Sequence, residues 1–122
     1  PYVADDPESL LGQSVGSGHC VAYVQEVAGA PLTAQWKVGD LVKDAGDAVA
    51  RGTAIATFDP DGRYGNHVDG RSHAAIYLSQ DEVGLTVLDQ WRDTLNQPVH
   101  QRVIRFGGST PVNDGNQFRV IL

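Results

Sequence analysis

Apolar positions along this chain fall into two regimes, a helical spacing near the front and an alternating or continuous pattern behind it. The segment CVAYVQEVAG carries apolar residues at 20, 21, 24, 27 and 28, closed by Gly29 and Pro31, which predicts a helix beginning at Cys20. An earlier, shorter helix is expected in ADDPESLLGQ, where Asp6 can cap, Pro7 takes the first position, Glu8 lies in the first turn and Gly12 ends it. Residues 32–52 mix Trp36, Val38, Leu41 and Val42 with Gly and Asp, and are read as loop with short turns. Beyond them, TAIATF (53–58), HAAIYLS (73–79), GLTVLDQW (84–91), PVHQRVIRF (98–106) and FRVIL (118–122) read as five strands. Helices followed by a run of strands predict an α+β domain with an antiparallel sheet.

A chain of 122 residues fits one domain, here 1–122, with one core. Hydrophobic residues make up 41% and charged residues 20%, ordinary values for a folded protein. Nine Lys plus Arg against 15 Asp plus Glu give a net charge of −6 with no basic cluster, which argues against a nucleic-acid partner. The apolar runs fall short of the roughly 20 residues a membrane span needs, and no signal peptide is legible.

Only one cysteine is present, so no internal disulfide forms and the thiol invites a chemical reading. Cys20 falls in the first helical turn after Gly16, Ser17 and Gly18, where unsatisfied N–H groups and the macrodipole favour a thiolate and can hold an oxyanion. Four histidines are candidate bases. His19 is adjacent to Cys20 and points elsewhere, His67 lies in the polar loop DPDGRYGNHVDGRS, and His100 sits mid-strand. His73 alone opens an apolar strand directly after a loop, where a sheet edge can hold an imidazole over a helix N-terminus. Antiparallel pairing of 73–79 with 84–90 sets His73 against Asp89 or Gln90, and the carboxylate is the better orienter because it also stabilises imidazolium.

These residues resemble a known group. GSGHCVAYVQ is similar to the Gly-x-Cys-x-x-Tyr-Val opening of cysteine- and histidine-dependent amidohydrolase/peptidase (CHAP) domains, and SHAAIYL resembles their Gly-His-Val-Ala-Ile strand. GTAIATF resembles the strand before the histidine in the wider NlpC-type, papain-like superfamily, and the short chain resembles the amidase effectors of type VI secretion. The resemblance implies a papain-like fold and cysteine amidase or peptidase activity on the peptide stem of peptidoglycan without a cofactor. It implies a secreted or periplasm-delivered monomer, and a cognate immunity protein as partner. Departures are His19 where many such domains have Gln, and Ser72 in place of Gly before the histidine. The oxyanion helper therefore stays open among His19, Gln13 and Gln90. Arg63, Arg71 and Arg92 flank the expected cleft and can grip carboxylates, while Trp36 and Trp91 either line it or fill core. Two alternatives compete: a zinc site from His67, Asp69 and His73 with Cys20 as fourth ligand, and an inactive binding module on the same fold.

Overall fold

A computed structural model describes residues 1–122. Its strands are β1 (Val38–Leu41), β2 (Ala54–Thr57), β3 (Ala74–Gln80), β4 (Gly84–Arg92), β5 (Asn96–Arg105) and β6 (Phe118–Ile121). They form one sheet in the order β1-β6-β2-β3-β4-β5, antiparallel at every pairing. The central strands read as apolar runs because both faces of the sheet are covered. All four residues of β2 and the first five of β3 are buried.

One face carries α1 (Cys20–Ala28). Tyr23 and Val24 of this helix are fully buried and pack with Ala54, Ala56, Ala74, Ile76, Leu88 and Ile121. Three of these sheet residues are alanines, small enough for the helix axis to approach the strands closely. Burying the larger apolar members of this cluster, Val24, Ile76, Leu88 and Ile121, stabilises by about 1.5–3 kcal/mol each. Tyr23 also donates its hydroxyl hydrogen to the Pro7 carbonyl at 2.7 Å, so its one polar atom is satisfied in the core. Gly29 ends α1 at φ 70°, a left-handed conformation that suits glycine. The second apolar cluster joins Ile55, Ala75, Tyr77, Leu85, Val87, Ile104, Phe118 and Val120 to Val42 of the short helix α2 (Val42–Ala45).

Three local features differ from the sequence expectation. The sheet has six strands rather than about five, because residues 38–41, expected to be loop, pair with β6. VGDL gives no apolar alternation, and Gly39 is required by close approach: a Cβ there would lie 2.6 Å from the Val120 carbonyl oxygen. Val42–Ala45, also expected as loop, forms a helical turn. The first predicted helix is a single 3-10 turn, Pro7–Leu10, in which Asp6 makes no capping hydrogen bond through its side chain. Phe118–Ile121, although last in the chain, inserts between β1 and β2.

Candidate active site

Gln90 organises the site from within. Its side chain is fully buried; Oε1 accepts from the Val15 N–H at 2.8 Å, and Nε2 donates to the Val15 carbonyl at 2.9 Å and the His19 carbonyl at 2.8 Å. One amide on β4 thus fixes the glycine-rich loop that leads into α1. The backbone of the same loop is tied to β5, with Gly12 N–H donating to Val99 O and Val99 N–H to Gln13 O, both at 2.9 Å. Cys20 is held as the first residue of α1 at the end of this braced segment.

His73 is anchored on the other side. Its N–H donates to Thr57 Oγ1 at 3.0 Å, its carbonyl accepts from the Thr57 N–H at 3.0 Å, and its ring stands edge-on to Phe118. Nε2 lies 2.7 Å from Asp89 Oδ2. With that nitrogen engaged, Nδ1 is the one left for the Cys20 thiol. The β3–β4 ladder pairs Ile76 with Leu88, which sets His73 level with Trp91; Asp89 meets the imidazole diagonally, from two residues along β4.

The charges of these groups depend on one another. Burial pushes the Cys20 thiol up, but the hydrogen bond and charge of His73, with help from the Ala74 backbone and the Tyr64 hydroxyl, bring it below its ordinary value. Burial disfavours imidazolium at His73, yet Asp89 and the thiolate outweigh it and raise the pKa to about 9. Asp89 is fully buried, which disfavours its ionisation, but His73 and Arg102 hold it below the usual carboxylate range. The combined bias is toward thiolate, imidazolium and carboxylate together.

Three further neighbours join these groups, none of which the sequence assigned to this place. Arg102 Nε lies 2.8 Å from Asp89 Oδ2, the oxygen that also receives His73. His100, directly opposite Asp89 in the β4–β5 register, directs Nδ1 to the Asp89 carbonyl at 3.0 Å. Tyr64 places its hydroxyl 3.7 Å from Cys20 Sγ. Burial, and then the charge of Cys20, raise the Tyr64 phenol far above its normal range, so it remains a protonated donor. The alternation of PVHQRVIRF puts residues 100 and 102 on one strand face and is the single signal that could have found the β5 pair. For Tyr64, inside a polar loop, no such signal existed.

A cleft of about 670 Å³ opens over Cys20 and His73, bordered by His19, Tyr64, His67, Trp91, Arg92 and Arg102 among others. His19 and Trp91 therefore face it. Trp36 does not: it is 4% exposed, packs in the core against Tyr64 and donates its indole N–H to the Pro31 carbonyl at 2.9 Å. Arg71 is paired with Asp69 and borders a separate hollow beside Thr57 and Arg119. Gln13 is exposed and lies off the cleft lining, and Gln90, with its amide spent on the loop, lies off it too. His67 Nε2 is 2.8 Å from Asp59 Oδ2, so His67, Asp69 and His73 each hold a different partner; no three His, Cys, Asp or Glu residues converge as metal ligands. No helix is long and apolar enough to cross a membrane.

A helix packed by its N-terminal cysteine end against an antiparallel six-stranded sheet defines an α+β domain of the papain-like class. Within that class, residues 2–121 match the family described as Dae2, domesticated amidase effector 2, and the chain belongs to this family. It is 39% identical over 108 residues to a type VI secretion amidase effector 2 protein of Salmonella typhi, covering 86% of this chain and 79% of that one. It is 35% identical over 124 aligned positions to domesticated amidase effector 2 of Ixodes scapularis, covering 95% and 81% respectively. A solved structure of type 6 secretion amidase effector 2 (Tae2) superposes with a TM-score of 0.83 at 31% identity, over 99% of this chain and 94% of that one. The protein is an amidase of the type VI secretion amidase effector group.

Proposed function

We propose that this amidase hydrolyses an amide bond in the peptide stem of bacterial peptidoglycan by cysteine chemistry, with Cys20 as nucleophile, His73 as acid and base, and Asp89 orienting His73. The observation that carries the reading is the row of groups leading from the core to the cleft, in which buried Asp89 Oδ2 holds His73 Nε2 at 2.7 Å and the same imidazole is coupled by hydrogen bond and charge to the Cys20 thiol.

Catalysis follows from the charge state. The Cys20 thiolate attacks the amide carbonyl carbon, forming a carbon–sulfur bond while the carbonyl pair moves onto oxygen. Backbone N–H groups at the start of α1 and the Tyr64 hydroxyl supply donors for that oxyanion, and His19 borders the same space. Protonated His73 gives its proton to the departing nitrogen; the C–N bond breaks and a thioester remains. Neutral His73 then takes a proton from water, whose oxygen attacks the thioester, and release of the carboxylate restores the thiolate and imidazolium.

Trp91 and Arg92 at the cleft border contact the stem peptide, the cation matching its carboxylates. The protein acts as a monomer delivered to the periplasm of a target cell, and a cognate immunity protein is its partner. The test is turnover of purified muropeptides followed by mass analysis, comparing wild type with Cys20→Ala. The variant is expected to lose activity completely while its circular dichroism is unchanged. Continued cleavage by Cys20→Ala would sink the assignment.

A further inference from the structure

Asp89 occupies an unusual position for a carboxylate. It is 0% exposed, one oxygen (Oδ2) accepts from both His73 Nε2 at 2.7 Å and Arg102 Nε at 2.8 Å, and the other (Oδ1) has no hydrogen-bond partner. Ionising a group taken out of water costs several kcal/mol unless a cation stands beside it. The groups facing it are His73 from the start of β3, Arg102 and His100 from β5, and Tyr23 from α1, whose phenol responds to the Asp89 charge. His100 keeps its Nδ1 on the Asp89 and Pro98 carbonyls, at 3.0 and 3.2 Å, and stands 3.7 Å from Oδ1.

His73 cannot serve as a constant counter-ion. In the mechanism above it gives up its proton to the leaving nitrogen and is neutral until water attacks. During that interval a buried carboxylate with histidine as its sole partner would tend to take a proton itself, and it would then no longer draw a proton back to the imidazole. Arginine keeps its charge at any pH at which a protein is folded. The guanidinium of Arg102 is fixed at this place by more than the ion pair, since it lies over the Trp91 ring at 5.1 Å and Nη1 reaches Asn113 Oδ1 at 3.4 Å.

We propose that Arg102 is a positioning residue for the hydrolysis, a permanent counter-ion that keeps Asp89 ionised while His73 cycles between its charged and neutral forms. The inference rests on the reading of Cys20, His73 and Asp89 as the working groups. β5 delivers Arg102 through register: His100 pairs with Asp89 and Arg102 with Val87, so Arg102 is the diagonal neighbour of Asp89 on the same face.

Arg102→Gln removes the charge and retains donor groups, and Arg102→Lys retains the charge. Without the cation Asp89 binds a proton more readily, so as pH falls it is neutralised sooner. The acid limb of kcat/KM for muropeptide hydrolysis is therefore expected to move up by about one pH unit in Arg102→Gln, a tenfold change in proton affinity, and to stay near wild type in Arg102→Lys. In an Asp89→Asn background, where no carboxylate remains to be held, Arg102→Gln is expected to add no further loss. An unmoved acid limb in Arg102→Gln, or equal losses in both backgrounds, overturns the inference. If Arg102→Gln does not fold, Arg102→Lys carries the test alone, and an acid limb displaced upward in that charge-conserving variant overturns it. Cys20→Ala run in parallel separates the two readings: if it is inactive, an unmoved limb refutes the role of Arg102 alone; if it is active, both fall.

Discussion

In the mechanism proposed above Asp89 acts through His73, and the expected effect of changing it is a shift in pH behaviour as well as a loss of rate. His73 binds its proton more tightly in the folded protein, at about 9, than at its ordinary 6.5. Its contribution to stability is therefore complete below about 6.5 and is lost as pH rises through about 9. Asp89 runs the other way, since its depressed pKa contributes stability above the usual carboxylate range that disappears as pH falls through the lowered value. Asp89→Asn removes the charge that supports imidazolium. Activity should fall by about 10²- to 10⁴-fold, less than in Cys20→Ala. Its alkaline limb should move from about 9 back toward 6.5. Alkylation of Cys20 by iodoacetamide, followed against pH, reports the thiolate directly; its apparent pKa should rise in Asp89→Asn. An unchanged alkylation profile would remove Asp89 from the role of orienter.

At the scale of elements, catalytic geometry depends on how the loop before α1 is tied to β4. Gln90 makes three hydrogen bonds to the backbone of Val15 and His19, and Arg92, at the end of β4, adds one from Nη1 to the Ser17 carbonyl at 3.1 Å. Gln90→Leu fills a similar volume but leaves the Val15 N–H and two carbonyls without that partner. The variant should lose about 2–3 kcal/mol of stability by urea denaturation. Turnover should drop at least tenfold with little change in KM, because a displaced Cys20 harms the reacting geometry more than substrate binding. A stable, fully active Gln90→Leu would show that other contacts place α1. The start of α1 at Cys20 was legible from glycine punctuation and apolar spacing; the brace was not, since a glutamine within a strand pattern looks like any solvated polar residue.

Across the whole molecule, the site depends on a sheet covered on both faces. Phe118 belongs to the cluster opposite α1, is fully buried and stands with its ring centroid 6.3 Å from that of His73. Phe118→Ala should cost about 3–5 kcal/mol in urea unfolding, a large share of the roughly 5–15 kcal/mol that holds a domain of this size together. Its activity, measured where the variant is still folded, should also fall, because the wall behind the imidazole is gone. Full activity in the folded variant would mean that Thr57 and Asp89 suffice to hold His73.

Local periodicity and punctuation in the sequence determined the helix at Cys20, five of the six strands and the antiparallel class, because each is written in side-chain spacing within a few residues. Chemistry and order selected Cys20, His73 and Asp89 as candidates, since a helix N-terminus, a strand opening and the next strand of its hairpin can each be recognised from the residues around it. Tertiary structure alone decided the rest. β1 formed because β6 came to lie beside it, a pairing between segments some 80 residues apart that no local pattern in VGDL encodes. Trp36 went to the core and Trp91 to the cleft although both are the same residue type flanked by polar neighbours. Arg102 reached Asp89 through the β4–β5 register, and Tyr64 reached Cys20 through the fold of a polar loop. Those contacts are set by which distant backbones share hydrogen bonds and by how the two clusters pack, and a one-dimensional pattern of apolar and polar residues carries neither.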